Sequence, residues 1–398
     1  PLEVLRPIYG GPAYKAGILS GDLIIEVGDQ PTAKLEMDSV KDLLRGPEGT
    51  EVKLKILRRG WSEAKVFQFR RATIKISSVL YDALPGKIGY IRLHQFGGSS
   101  TEEFTEALDG LEKKGLEGLI IDFRNNPGGY LPVAEKIADL FVRGKLPIVT
   151  QKGLKEDGGP ERSTYPTEKA RTGYPIVCLV NEYSASASEV VSGCLQDYAR
   201  ATLVGRRTYG KGSVQRLIGV DSEKGSTLKI TVQYWYLPLG RCINTIRDKK
   251  GLVRKKGGVE PDIEVKQELL PLWRLEERRA LRDNEALLEY AEKHIEALRP
   301  IAVLSDRGDA SRYPELEKTI SSLNTKGTEA DVRQVIRGIL RRKIEDERGR
   351  QFAYDLQEDI QLQQGILGLL ESMSKKPAEI AEYSWIKPLP APGKKEKK

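Results

Sequence analysis

Two stretches hold the residues best suited to chemistry. Asn181-Glu182-Tyr183-Ser184-Ala185-Ser186-Ala187-Ser188-Glu189 places three serines in a run of small residues, and Gly210-Lys211-Gly212-Ser213-Val214-Gln215 places an amine between two glycines. The apolar run Ile176–Val180 leads straight into the first and reads as a buried strand. A helical pattern follows, with Val190, Val191, Cys194 and Leu195. Ser186-x-x-Glu189 has capping-box spacing, which puts Ser186 at a helix N-terminus. A serine on such a strand-to-helix turn projects its hydroxyl from the end of a sheet, where free N–H groups and the helix dipole favour negative charge. Taken alone, that spacing most often marks a capped helix and nothing more. A nucleophile also needs a base. The chain has two histidines, His94 and His294, and neither lies in these stretches, whereas Lys211 follows Ser186 by 25 positions. A lysine in water is protonated at neutral pH, so a lysine base must be desolvated before it can accept the serine proton. Gly210 and Gly212 permit the close backbone approach that would exclude water, and the Gln215 oxygen could orient the amine.

These residues need a frame. Ile88–Leu93, Gly118–Phe123, Pro175–Val180 and Thr202–Val204 read as strands. Between them lie a helix opened by Ser100-x-x-Glu103, with Phe104, Leu108 and Leu111 on one face, and a helix over Leu131–Val142. Strands alternating with helices predict a mainly parallel, right-handed α/β unit whose ligands gather at the carboxyl ends of the strands. Arg124-Asn125-Asn126-Pro127-Gly128-Gly129 and Asn181–Ser188 both follow strand ends, so this fold brings them together. The two glycines expose backbone N–H groups ahead of a helix. No Walker-type lysine or dinucleotide spacing accompanies them, and by itself the segment reads as a turn. Strands over Val214–Ile218 and Thr227–Tyr236 follow Lys211. Gln151–Gly173 is a long polar stretch that either covers a groove or is a mobile excursion. His94 reads as a polar residue at a strand end.

On either side the pattern changes. Residues 1–60 read as short strands with one helix near Ser39–Leu44, including a hairpin-type turn at Gly28-Asp29. Residues 61–74 read as a connecting strand. Residues 266–373 are a charged helical region, with apolar stripes over Trp273–Leu298 and Glu329–Arg348 suited to core packing or homo-oligomer formation. Residues 374–398 are enriched in proline and lysine and read as a flexible basic tail. The 398 residues carry 65 Lys and Arg against 57 Asp and Glu, a net charge of +8. The basic clusters lack interleaved aromatics and any nucleic-acid motif, so they read as solvated surface, at most a peripheral contact with an acidic membrane. Three cysteines make no disulfide framework, no cluster has metal-ligand spacing, and no run is long and apolar enough to span a membrane.

The combination of D-F-R-N-N-P-G-G, S-A-S-A-S-E and G-K-G-x-V-Q, in this order within residues 1–265, closely resembles the carboxy-terminal processing peptidases of family S41. These are tail-specific serine proteases with a Ser–Lys dyad. The resemblance implies a crotonase/ClpP-like α/β protease core over 61–265, a small PDZ β-domain over 1–60, and an acyl-enzyme mechanism without cofactor or metal. It assigns the nucleophile to Ser186, the base to Lys211, and support of that lysine to Gln215. It gives the oxyanion hole to the N–H groups of Ala187 and of Gly128 or Gly129. Phe123 stands where the family motif has leucine. The PDZ resemblance rests on G-P-A-x-x-A-G-I-x-x-G-D and L-R-G-P-x-G-T. The family's first strand and carboxylate loop would precede Leu2, so peptide capture by residues 1–60 alone is not expected. Substrates would be proteins and peptides engaged through their C-terminal tails, and the location a bacterial cell envelope. The rival readings are an inert peptide-binding scaffold, and an esterase or amidase on the same site.

Overall fold

A computed structural model describes residues 2–153, 161–221, 226–248, 250–266 and 269–390. The chain divides into two compact units, each assembled from two separate stretches: residues 2–76 with Leu270–Phe352, and Ser77–Leu269 with the residues from Ala353 on.

The first unit opens with an antiparallel sheet. Its strands are β1 (Leu2–Glu3), β2 (Leu23–Val27), β3 (Gln30–Pro31), β4 (Glu51–Leu57) and β5 (Lys65–Arg70), in the order β1-β2-β4-β5 with β3 also on β2. Helices α1 (Pro12–Lys15) and α2 (Met37–Leu44) accompany it. Val52, Leu54 and Ile56 alternate into a core with Ile18, Ile24, Val27 and Val40, as their period of two requires. The connecting strand is therefore the last strand of this sheet, paired along β4 from Glu51↔Arg70 to Ile56↔Lys65.

The second unit is built on a six-stranded sheet. Its strands are β6 (Val79–Leu84), β7 (Ile88–Leu93), β8 (Gly118–Asp122), β11 (Ile176–Val180), β12 (Ala201–Gly205) and β17 (Ile263–Glu264). All neighbours pair in parallel except β6 with β7. Helices α3 (Ser100–Glu112), α4 (Leu131–Asp139) and α5 (Ala187–Asp197) cover one face. There Ile91, Ile121, Cys178, Val180 and Leu203 meet Phe104, Ile137 and Val191. The alternate residues Tyr90, Ile120, Val177, Leu179 and Val204 point the other way. Beside the sheet, β9 (Val149–Gly153), β10 (Arg162–Thr164), β13 (Ser213–Asp221) and β14 (Ser226–Tyr236) form an antiparallel ribbon in the order β10-β9-β14-β13. A small hairpin joins β15 (Ile246–Arg247) to β16 (Val253–Lys255). Within the polar stretch 151–173, residues 162–164 thus pair as a strand with 149–151, while residues 154–160 of that stretch lie outside the described residues.

The C-terminal region is shared between the units. Helices α6 (Leu272–Arg282), α7 (Glu285–Val303), α8 (Leu316–Ser322) and α9 (Glu329–Arg348) pack into a bundle through Leu287, Leu298, Val332, Ile336 and Leu340, so those apolar stripes are core. The bundle belongs to the first unit, and Asp346 of α9 accepts from the Ser20 N–H at 3.0 Å and the Tyr9 hydroxyl at 2.9 Å. Helix α10 (Ile360–Ser372) instead belongs to the second unit and covers the open face of its sheet with Leu362, Ile366 and Leu369. Residues 374–390, expected to be a flexible tail, are packed: Tyr383 is fully buried and donates to Pro85 O at 2.8 Å. An aromatic and Ile386 in that stretch supply the apolar area that a composition rich in Pro and Lys conceals. The remainder of the expected tail, residues 391–398, lies outside the described residues.

Candidate active site

Strands β8 and β11 are adjacent and parallel, so the segments leaving their carboxyl ends must run side by side. The serines stitch them together. Ser184 is buried and donates to Phe123 O at 2.8 Å, and Ser188, also buried, donates to Asn126 O at 2.9 Å. The Asn181 and Asn125 side chains add a further link at 2.9 Å. Two of the three serines are thereby structural. Ser186 differs from both. It sits at the N-cap of α5 with φ 60° and ψ −116°, a left-handed φ that is uncommon for any residue but glycine and is held only where surroundings enforce it.

The two glycines sit against this turn. Gly128 has φ +99°, and a Cβ there would lie 2.7 Å from Ser186 Cβ and 2.9 Å from Ala187 N. Only glycine allows that approach. The Gly128 N–H donates to Asn126 Oδ1 at 2.9 Å. Among the described residues, no acceptor is matched to the N–H of Gly129 or of Ala187. Ala187 is the first residue of α5, where a helix leaves its N–H unsatisfied and its dipole positive.

Lys211 is tied to Ser186 through a residue that the sequence marked only as half of a capping box. Glu189 is fully buried. One of its carboxylate oxygens accepts from Ser186 N at 2.9 Å and Lys211 N at 2.8 Å; the other accepts from Gly210 N at 2.7 Å and the Thr208 hydroxyl at 2.6 Å. A single side chain therefore fixes the backbones of both expected catalytic residues. Burial pushes the Glu189 carboxyl above its ordinary value, opposed by these four donors. The glycines flanking Lys211 serve close packing as expected: a Cβ at Gly210 would meet Thr245 Oγ1 at 2.1 Å, and one at Gly212 would meet Asn244 N at 2.6 Å. They do not bury the lysine side chain, which is exposed. Gln215, exposed on β13, shares a cleft of about 730 Å³ with Lys211, Asn125, Pro127, Tyr183, Ala185, Tyr209 and Lys229. The cleft gathers the base candidate, its glutamine and the residues flanking Ser186 and the glycine loop. His94 and His294 are not among its lining residues.

The glycine loop has its own anchor. Asp122, at the end of β8, is fully buried and accepts from the Tyr90 hydroxyl at 2.5 Å and from Arg124 Nη2 at 2.6 Å. Burial pulls its pKa up, but the Arg124 guanidinium, helped by Arg92 and the Tyr90 hydroxyl, holds the carboxyl below its ordinary value. Nothing in the local sequence distinguishes this pair from a surface ion pair. No group of side chains among the described residues could hold a metal, and no described helix is long and apolar enough to cross a membrane.

Comparison with known proteins gives these features a setting. Residues 87–265 match the model of peptidase family S41, and residues 3–58 match a PDZ domain model. A carboxyl-terminal-processing protease of Synechocystis is 37% identical over 273 residues, covering 68% of this chain and 60% of that protein. Carboxy-terminal processing protease CtpB of Bacillus subtilis is 33% identical over 267 residues, covering 66% and 52%. A solved structure of a photosystem II D1 C-terminal processing protease is 32% identical, covering 68% of this chain and 69% of that one at a TM-score of 0.41. The chain thus spans about half to three-fifths of the length of these two curated relatives.

Proposed function

The chain belongs to peptidase family S41 and carries a PDZ domain at residues 3–58, and from that premise we propose that it is a serine endopeptidase cutting proteins near their C-termini through Ser186 and Lys211. Ser186 Oγ attacks the scissile carbonyl. Neutral Lys211 takes the serine proton and passes it to the leaving amine. The acyl-enzyme so formed is released by water, activated by the same lysine. The N–H groups of Ala187 and Gly129 receive the oxyanion. Gly129 is preferred to Gly128 because the Gly128 N–H already donates to Asn126. Gln215, in the same cleft as Lys211, orients the amine.

One observation carries this reading: the Glu189 carboxylate, which joins Ser186 N, Gly210 N and Lys211 N. An inert scaffold has no use for a buried carboxylate that fixes a strained serine relative to a lysine 25 positions away. Lys211 is exposed in this structure, so the reading requires that bound substrate complete its desolvation. The PDZ unit has an apolar groove of about 400 Å³, with Val4, Ile8, Ile18, Leu44 and Phe69 in its walls. It is suited to the apolar side chain of a peptide tail added as a strand. An extracytoplasmic location is proposed on the strength of the family resemblance alone. The test is cleavage of an unstructured protein, with products mapped by mass. Cuts clustered near the C-terminus and abolished by a C-terminal amide or blocking group support the tail-specific reading. Cuts spread evenly along the chain contradict it, and hydrolysis of esters without peptides supports the esterase alternative.

A further inference from the structure

Residues 353–389 lie beyond the stretch that matches the peptidase family model, residues 87–265, and the reaction above assigns them no part. We propose that Asp359 and Gln361, at the start of α10, are positioning residues for the two active-site loops. This inference rests on the Ser186 reading of the site.

Asp359 acts on the glycine loop through Arg124. The guanidinium donates from Nη1 to Asp359 Oδ1 at 2.7 Å and from Nη2 to Oδ2 at 2.6 Å, a two-pronged pairing, while its Nε bonds Asp122 at 2.9 Å. One planar cation thus bridges two carboxylates 237 positions apart in sequence (122 to 359). Such a fork fixes both direction and distance. Arg124 directly precedes Asn125-Asn126-Pro127-Gly128-Gly129, so its backbone sets where the Gly129 N–H points. Asp359 also caps α10 by accepting from Leu362 N at 2.9 Å, which ties the helix N-terminus to the same point.

Gln361 acts on the serine loop. Its Nε2 donates to Val180 O at 2.9 Å and to Val204 O at 2.8 Å. These carbonyls stand near the carboxyl ends of β11 and β12, one residue before Asn181 and one before Gly205. The fit is tight: a Cβ on Gly205 would lie 1.9 Å from Gln361 Nε2, and one on Gly365 would lie 2.8 Å from Leu179 Cδ2. Helix α10 therefore sits on the sheet at a fixed depth, with its first turn reaching the strand ends from which Ser186 and the Gly210–Lys211 segment depart. Oxyanion donors act only when fixed within a fraction of an ångström, and a displacement of about 1 Å costs on the order of 100-fold in rate.

The test uses the full chain. Asp359→Asn keeps a good helix cap and the side-chain volume but removes the charge facing Arg124. It should lower kcat about 10-fold, leave KM within about twofold, and weaken a peptide aldehyde, whose serine adduct carries the oxyanion, by the same factor as kcat. Gln361→Met should slow acylation about threefold. Asp359→Glu, which retains the charge, should recover part of kcat and serves as the comparison if Asp359→Asn does not fold. Asp359→Asn with wild-type kcat and aldehyde affinity, whatever its thermal midpoint, overturns the inference and leaves the Ser186 reading intact. Wild-type protein that forms no aldehyde adduct at Ser186 overturns the reading, and this inference with it.

Discussion

The serine loop and the glycine loop lie side by side at the ends of β11 and β8, yet they are held by different means. The serine loop is anchored from within, by Glu189, three positions after Ser186 and 22 before Lys211. The glycine loop is anchored by Arg124, whose outer partner Asp359 lies 235 positions away. Their electrostatics differ as well. Glu189 is a lone buried carboxylate that meets three backbone N–H groups and a hydroxyl, and burial raises its pKa. Asp122 is equally buried but faces Arg124, and its pKa is lowered. The difference teaches that the nucleophile and base travel as one piece, whereas the oxyanion loop depends on a segment that reaches it late in the sequence.

Breaking the Glu189 tether should have the largest effect. Glu189→Gln puts an amide N–H₂ where donors already point, leaving buried N–H groups unpaired. We expect kcat to fall on the order of 100-fold or more, with the fold retained by circular dichroism. If Glu189→Gln turns over as wild type, the tether is only a cap. Gly205→Ala comes next. It forces a side chain into Gln361 and Val180 O at a φ of +132° and should destabilise the second unit by about 3 kcal/mol in a denaturant titration. Gln361→Ala should recover part of that loss by clearing the space.

Acid sharpens the contrast further. Ordinary Glu and Asp titrate near 4.3 and 3.9. Glu189, raised by burial, takes up its proton above the ordinary range as pH falls; Asp122, lowered, does so below it. A lowered pKa gives stability that is fully present above the unfolded value and is lost as pH falls through the folded value. A raised carboxylate pKa has the opposite sign, so protonating Glu189 does not cost stability, yet a neutral carboxyl no longer accepts all its donors. Activity should therefore fail on acidification before the fold does. The check is a pH profile of kcat/KM beside one of thermal midpoint, and coincident loss of both contradicts the account. The smallest effect is expected at Ser184. Ser184→Ala removes the hydroxyl bonded to Phe123 O and should cost about 1 kcal/mol of stability and only a few-fold in kcat.

Much of this was legible in the sequence. The apolar runs Gly118–Asp122 and Ile176–Val180 announce strands buried on both faces, and their order places the two loops together. The small residues around Ser186 announce a tight turn. What stayed hidden was long-range. Glu189 carried the spacing of a capping box, and nothing local shows that its carboxylate reaches Gly210 and Lys211. The Arg124–Asp359 pair and the Gln361 contacts join residues that no periodicity relates. The helical region read as one piece from 266 to 373, because helical pattern does not say which partner a helix covers. In the structure it divides after Phe352. The exposure of Lys211 likewise depends on what fills the cleft, which flanking glycines cannot report.

The most direct test of the Ser186–Lys211 assignment is trapping of the acyl-enzyme. Full-length protein would be mixed with a peptide ester and quenched, and intact mass read for wild type, Ser186→Ala, Lys211→Arg and His94→Ala. The account predicts one acyl adduct, mapped to Ser186, in wild type and His94→Ala. It predicts none in Ser186→Ala, nor in Lys211→Arg, whose guanidinium stays charged. An adduct on Lys211→Arg at the wild-type rate, with none on His94→Ala, would contradict it.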